Sequence, residues 1–348
     1  MAGDGPVTAP ANPGVCGAGI YARVATSSPR ARTVRLGSRD FRKGAAGLST
    51  HAPHAPDSAR LVALPATLDE AVAALAAEPA AVPVAGGTDL MAAVNAGLLR
   101  PAALVGLGRL AELRGWAYQD GHALLGACLT HSRMSRPDFA ALIPALAAAA
   151  RSAGPPQVRN AGTLGGNIIS AAPFGDTLPV LAALEATLLV AGPEGEGRQI
   201  PVSHLLAGRD RLQPGELLAH VRVPLLHAPQ TFLKATSRTG PARAQASVAV
   251  VLDPVRREVR CAVGAVAPMP LRPLDAERWV ASLVDWDGER GLAPEVLTAF
   301  GDYVGMACIP DPQPAGEGGE PPQLPPAVLH MRRTVATLAR RGLGRALA

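Results

Sequence analysis

The chain predicts a protein of mixed helices and strands, and three stretches carry that expectation. Residues 82–84 form an apolar run that leads into Gly86-Gly87-Thr88-Asp89, and residues 89–99 can be helical before Pro101. That order is strand, glycine turn, helix. Residues 246–252 and 259–266 are apolar runs on either side of Asp253-Pro254, the pattern of an antiparallel hairpin. Residues 330–345 read as a closing helix behind a Pro/Gly-rich loop at 310–326. With 348 residues the chain is long enough for a sizeable core and two domains.

Taken in order, residues 1–57 are rich in Ala, Gly, Pro, Ser and Arg with no sustained period, and read as a disordered tail. A transit peptide shares the Arg- and Ser-rich composition, but the prolines and glycines break any amphipathic helix; a start placed upstream of the natural one fits equally. Structure begins near Leu61 with a short extended segment over 61–65. Thr67 followed by Glu70 has the spacing of a capping box, and Leu68, Val72, Leu75 and Ala76 then share one helix face up to Pro79. Short strands follow at 104–107 and 122–127, a mostly helical stretch at 135–151, and strands at 188–190 and 217–223. The pattern changes between Pro224 and Phe232. The division that follows is a tail over 1–57, a first domain over 58–228 and a second over 229–348.

Composition removes several function classes. Arg23, Arg30, Arg32, Arg35, Arg39, Arg42 and Lys43 concentrate much of the formal charge of +5 in the tail, and aromatic residues make up only 3% of the chain. A nucleic-acid face with interleaved aromatics is therefore not expected. The four cysteines, Cys16, Cys128, Cys261 and Cys308, are far apart and form no C-x-x-C pair. They suit reduced buried thiols in a cytoplasmic protein better than a zinc or iron–sulfur site. No apolar run reaches the roughly 18 residues of a membrane helix. Neither lysine, Lys43 or Lys234, completes a Walker A motif. Gly106-Leu107-Gly108-Arg109-Leu110-Ala111 matches a dinucleotide fingerprint by letter, but the next strand follows too soon for a crossover helix. His51 and His54 lie in the tail and read as incidental.

The chemistry concentrates in two glycine-rich segments, Pro83-Val84-Ala85-Gly86-Gly87-Thr88-Asp89-Leu90 and residues 159–179. Paired glycines allow close backbone approach and positive φ, and successive N–H groups in such turns form a nest for phosphate oxygens. Either segment alone could be a tight turn with Thr or Asp as a helix cap. Together they suggest a dinucleotide diphosphate held from both sides.

These residues also carry a family resemblance. Ala85-Gly86-Gly87-Thr88-Asp89-Leu90, Arg159-Asn160 with Gly162-Thr163-Leu164-Gly165-Gly166-Asn167, and Pro173 with Asp176 resemble the signature of the FAD-binding medium subunits of molybdenum hydroxylases, the xanthine dehydrogenase and carbon monoxide dehydrogenase type. The similarity continues through residues 198–201, 212–217, Phe232-Leu233-Lys234 with Arg238, and 264–267, so it spans the chain from about Leu61 onward.

The resemblance implies an α+β protein with a vanillyl-alcohol-oxidase-like (PCMH-type) FAD-binding domain and a smaller α+β C-terminal domain. It implies FAD held by Val84, Ala85, Gly86, Gly87, Thr88, Asp89 and Leu90 and by Thr163, Leu164, Gly165 and Gly166. Asn167 and Ser170 would order the second loop, and Asp176 would hydrogen-bond the ribityl or adenosine side. Leu212 and the ammonium of Lys234 would approach the flavin ring, where a cation stabilises the reduced anion. No catalytic acid, base or nucleophile and no metal ligand is implied. It also implies a hetero-oligomer: a molybdopterin-binding large subunit, a [2Fe–2S] small subunit, and electrons passing through this chain to NAD⁺, a quinone or oxygen. A self-sufficient flavin dehydrogenase or oxidase with its own organic substrate is the alternative, and a nucleotide-binding scaffold without electron transfer is a third. Two departures stand out. Residues 239–243 are neutral to basic where the family often has an acid, and Phe174 takes a position that is more often small.

Overall fold

The computed structural model describes residues 61–237, 243–288, 291–311 and 324–348. The tail with Cys16, Lys43, His51 and His54, Arg238, and most of the Pro/Gly-rich stretch at 310–326 lie outside the described residues. Strand β1 (Leu61–Ala63) leads to helix α1 (Leu68–Ala77), whose N-cap Thr67 accepts the Glu70 N–H at 3.2 Å. The return bond of the capping box falls one residue early, with the Glu70 carboxylate accepting from Ala66 N–H at 2.7 Å. Strand β2 (Ala81–Val84), helix α2 (Leu90–Asn95) and strand β3 (Ala103–Gly106) follow. β3 lies between β1 and β2, parallel to both. α2 stops four residues before the predicted end at Leu99, because Gly97 takes φ +71° and turns the chain.

After β3, two short 3₁₀ turns replace any crossover helix, which removes the Rossmann alternative. Strands β4 (Trp116–Gln119) and β5 (His122–Gly126) then pair as a hairpin. The helix predicted over 135–151 is broken. A short α3 (His131–Met134) precedes it, and the predicted span becomes α4 (Pro137–Ala140) and α5 (Pro144–Ser152), since Pro137 and Pro144 each open a new helix and cannot continue an old one. The second glycine segment is helical as well, forming α6 (Pro156–Ala161) and α7 (Leu164–Ser170) ahead of α8 (Thr177–Ala183).

Strands β6 (Thr187–Ala191) and β7 (Gly197–Pro201), helix α9 (Val202–Leu206) and strand β8 (Leu217–Pro224) complete a five-stranded antiparallel sheet in the order β4-β5-β8-β6-β7. The chain then enters β9 (Gln230–Thr236), β10 (Ala244–Asp253) and β11 (Glu258–Gly264), an antiparallel sheet with β10 at its centre. The hairpin turn falls where predicted, with Asp253 Oδ1 accepting from Arg256 N–H at 3.0 Å. Helices α10 (Leu274–Ala281), α11 (Pro294–Cys308) and α12 (Pro326–Leu347) close the fold.

This last sheet is buried on both faces, which explains its unbroken apolar runs. Ala246, Val248, Val250 and Leu252 join the core under α10, α11 and α12. Ala249, Val251 and Phe232 join the main core, which also contains Leu146, Ile168 and Leu181. The period of two along β9 therefore puts Lys234 on the same face as Phe232, toward α5 and α8. That is how one sheet joins two cores and delivers a lysine to the first. Cys128, Cys261 and Cys308 are free and buried.

Candidate functional site

A cavity of about 680 Å³ opens between the turn after β2, the junction of α6 and α7, and the loop before α8. Its volume falls within the range of about 300–1,000 Å³ typical of small-molecule and cofactor sites. Every residue from Val84 to Leu90 lines it. Gly87 takes φ +67°, a conformation that a Cβ strains. Gly86 is required for space: a Cβ there would stand 1.9 Å from the carbonyl oxygen of Ala161 and 3.1 Å from Gly162 Cα. Asp89 occupies the N-cap of α2 without a side-chain capping bond. Among the described residues, the N–H groups of Gly86, Gly87, Thr88 and Asp89 have no main-chain acceptor, so four donors remain available at the cavity wall.

The second segment works differently from the expected loop. Thr163 caps α7 by accepting the Gly166 N–H at 3.1 Å, and Asn167 N–H donates to Thr163 O at 3.0 Å. Leu164 N–H donates to Leu129 O at 2.9 Å and Gly165 N–H to Ala127 O at 2.8 Å. All four amides are committed inside the protein, and for Gly165 and Gly166 this corrects the expectation that their main chain donates to the diphosphate. Thr163, Gly166 and Asn167 still line the cavity, whereas Leu164 and Gly165 lie behind it in the core. Gly165 is a packing glycine, since a Cβ there would come within 2.7 Å of the Ala127 methyl. Asn167 Oδ1 accepts from Thr177 Oγ1 at 2.5 Å and ties α7 to α8. Ser170 lies off the cavity and donates back to Asn167 O at 3.2 Å. Leu212 is also off the cavity, packed against the main core.

Asp176 lines the cavity at the N-terminus of α8, yet it makes no helix cap. Its Oδ2 instead accepts from Lys234 Nζ at 2.7 Å, and Nζ also donates to Ser152 O at 2.9 Å. Both side chains are buried, at 5% and 8% exposure, and Lys234 is not itself on the cavity wall. The sequence-predicted approach of this ammonium to a ligand is thus indirect, through Asp176. Among the described residues, Asp176 Oδ1 is buried and has no hydrogen-bond partner. Burial pushes the Asp176 carboxyl up to about 6, against the opposing pull of Lys234. At the rim, Phe174 is half-exposed and the guanidinium of Arg243 stands 4.7 Å over its ring.

A sequence profile described as the FAD binding domain in molybdopterin dehydrogenase matches residues 57–226. The putative xanthine dehydrogenase FAD-binding subunit of Escherichia coli K12 is 33% identical over 223 residues, covering 61% of this chain and 76% of that protein. The glyceraldehyde dehydrogenase medium chain of Sulfolobus acidocaldarius is 30% identical over 61% of this chain and 77% of its own length. The chain belongs to the FAD-binding medium subunits of the molybdopterin dehydrogenases. Solved structures agree: carbon monoxide dehydrogenase from Hydrogenophaga pseudoflava superposes with a TM-score of 0.66 at 26% identity, over 82% of this chain and 96% of that one. Quinoline 2-oxidoreductase from Pseudomonas putida 86, at 24% identity, shares the fold with a TM-score of 0.68 over 83% and 97% of the two chains. As a member of this family the chain is an FAD-binding oxidoreductase subunit.

The residues present suit FAD. Free amides at Gly86 to Asp89 match a diphosphate, and the unpartnered Asp176 Oδ1 can accept from a hydroxyl or ring N–H. Sequence reasoning missed His131 and Arg243 on the wall of this medium-subunit cavity. No spacing marks a lone histidine after a Thr cap, so only the fold brings His131 here. It is 5% exposed, and burial, helped by Arg159, pulls its imidazole down to about 4, so it is neutral at pH 7. An unfolded histidine titrates near 6.5. Its stabilising contribution is therefore complete above 6.5 and lost as pH falls toward 4. That loss amounts to about 3 kcal/mol over the window. Urea titrations at pH 7.5 and 4.5 are expected to show a shallower fall for His131→Phe than for the wild type; parallel falls would contradict a buried neutral imidazole.

Proposed function

We propose that this chain is the electron-relay subunit of a molybdenum hydroxylase-type complex. It takes electrons from a [2Fe–2S] small subunit and passes them to NAD⁺, a quinone or oxygen, while a molybdopterin-binding large subunit oxidises the organic substrate. The observation that carries the reading is the convergence on one cavity of the Gly86–Asp89 donors and the buried Asp176 carboxylate backed by Lys234. FAD, when bound, supplies one- and two-electron redox chemistry. The protein's own residues bind and orient. The turn at Gly86-Gly87 would hold the diphosphate, Thr163, Gly166 and Asn167 would form the facing wall, and Asp176 would fix the ribityl or adenosine side. Lys234 would keep Asp176 charged and in place.

The fold is proposed to be of the vanillyl-alcohol-oxidase-like, PCMH type over 58–228, with residues 229–348 as a second domain; the boundary falls in the connection between β8 and β9. Among the described residues no helix is long and apolar enough to cross a membrane. Iron–sulfur clusters are assigned to a partner chain because the four cysteines here form no cluster motif, and the molybdenum group to the large subunit that the family resemblance implies.

The isolated chain, denatured to release its chromophore, is expected to yield FAD with a visible flavin spectrum and no iron or molybdenum. Failure to bind or be reconstituted with FAD would overturn the cofactor assignment. Co-expression with candidate large and small chains is expected to give a three-subunit complex. A chain that is stable and active alone on an organic donor would favour the self-sufficient dehydrogenase instead.

A further inference from the structure

Among the polar side chains on the cavity wall, His131 is a buried one to which the glycine turn gives no role. His131 opens α3 directly after Thr130, which bridges to Thr163, and its N–H donates to Gly162 O at 3.0 Å. The residue is therefore pinned to the start of α7. Its imidazole lines the cavity, yet Nδ1 is buried and has no hydrogen-bond partner among the described residues. A buried N–H without an acceptor is rarer and costlier than a bare nitrogen lone pair, so the ring proton belongs on Nε2.

The opposite edge of the ring lies against Gly162. A Cβ on Gly162 would stand 3.1 Å from His131 Cδ2 and 3.5 Å from Nε2, and Gly162 lines the same cavity. Gly162 in turn lies against the glycine turn, 3.1 Å from where a Gly86 Cβ would be. His131, Gly162 and Gly86 are thus successive neighbours along one wall of the cavity, the wall that carries the Gly86 main-chain amide. An N–H donor on that wall, desolvated and rigidly held, suits an anionic oxygen.

We infer that His131 is a further cofactor-binding residue, whose Nε2–H donates a hydrogen bond to the diphosphate of the bound dinucleotide beside the Gly86–Asp89 amides. This inference rests on the FAD assignment. It commits the imidazole to the diphosphate and not to the flavin or adenine ring.

Calorimetric titration of the full-length apoprotein with FAD, ADP and adenosine tests it. His131→Phe keeps a ring of similar shape and removes the donor; His131→Gln keeps a donor. The Phe variant is expected to bind FAD and ADP about tenfold more weakly, with adenosine unchanged, and the Gln variant to recover much of the loss. An unchanged ADP affinity, or an equal loss for adenosine, would show that His131 only packs the wall. Wild-type protein that binds neither FAD nor ADP would instead defeat the cofactor assignment itself. Should the Phe variant fold poorly, nitrogen-15 spectra of the wild type decide the matter. An Nε2–H histidine, absent in the Gln variant, must shift with ADP and not with adenosine; no such shift overturns the inference.

Discussion

Replacing Gly86 with alanine is expected to cost the protein its FAD while leaving it folded. The new Cβ would stand 1.9 Å from Ala161 O, a main-chain atom that cannot rotate away. The turn after β2 must therefore move off α6, and the donors of Gly86, Gly87, Thr88 and Asp89 move with it. Overpacking of this kind costs about 1–3 kcal/mol of stability. Misaligning two charge-assisted hydrogen bonds, each worth about 1.5–3 kcal/mol, lowers FAD affinity on the order of a hundredfold or more. Fluorescence titration of the apoprotein with FAD, paired with thermal melting, reads both effects. Gly87→Val, at a position with φ +67°, is expected to act in the same direction. Normal FAD retention by both variants would mean that this turn does not hold the diphosphate.

Removing Lys234 has the second large effect, and its sign depends on pH. Lys234→Met leaves Asp176 buried without its cation, a change that costs about 3–5 kcal/mol when the carboxylate is charged. Asp176 already titrates near about 6 in the folded protein, above its ordinary 3.8. A raised folded value means that its contribution to stability is complete below 3.8 and lost as pH rises through 6. Without Lys234 the carboxyl moves higher still, so the loss at neutral pH deepens. The variant is therefore expected to be close to wild type at pH 5 and clearly less stable at pH 8 in urea titrations. Adding Asp176→Asn should flatten that dependence. Equal destabilisation at both pH values would show that Lys234 acts by packing alone. In the holoprotein the uncompensated carboxylate is also expected to lower the flavin potential.

The local elements were legible where a single residue type dictates the backbone. Thr67 caps α1, Asp253 turns the β10–β11 hairpin, and the chain after Val84 goes from strand to glycine turn to helix. Legibility failed where prolines reset a helix, as at Pro137 and Pro144, which replace one predicted helix over 135–151 by two, α4 and α5. It failed again at residues 163–167. Thr163 with Gly166 three positions later has N-cap spacing, but paired glycines read more naturally as a loop.

The sequence by itself determined the family and the cofactor, because both rest on glycines and polar caps whose spacing is local to the chain. It also singled out Gly86 to Asp89, which line the cavity. Only the tertiary structure decided which donors are free. The amides of Leu164, Gly165, Gly166 and Asn167 are taken by Leu129, Ala127 and Thr163, and two of these acceptors lie more than thirty residues earlier. Likewise, Lys234 meets Asp176 only because β9 presents it on the face of Phe232 toward α5 and α8. His131 reaches the cavity wall through its bond to Gly162, in the junction between α6 and α7. Hydrogen-bond satisfaction and burial are properties of neighbours in space, and a linear pattern does not carry them.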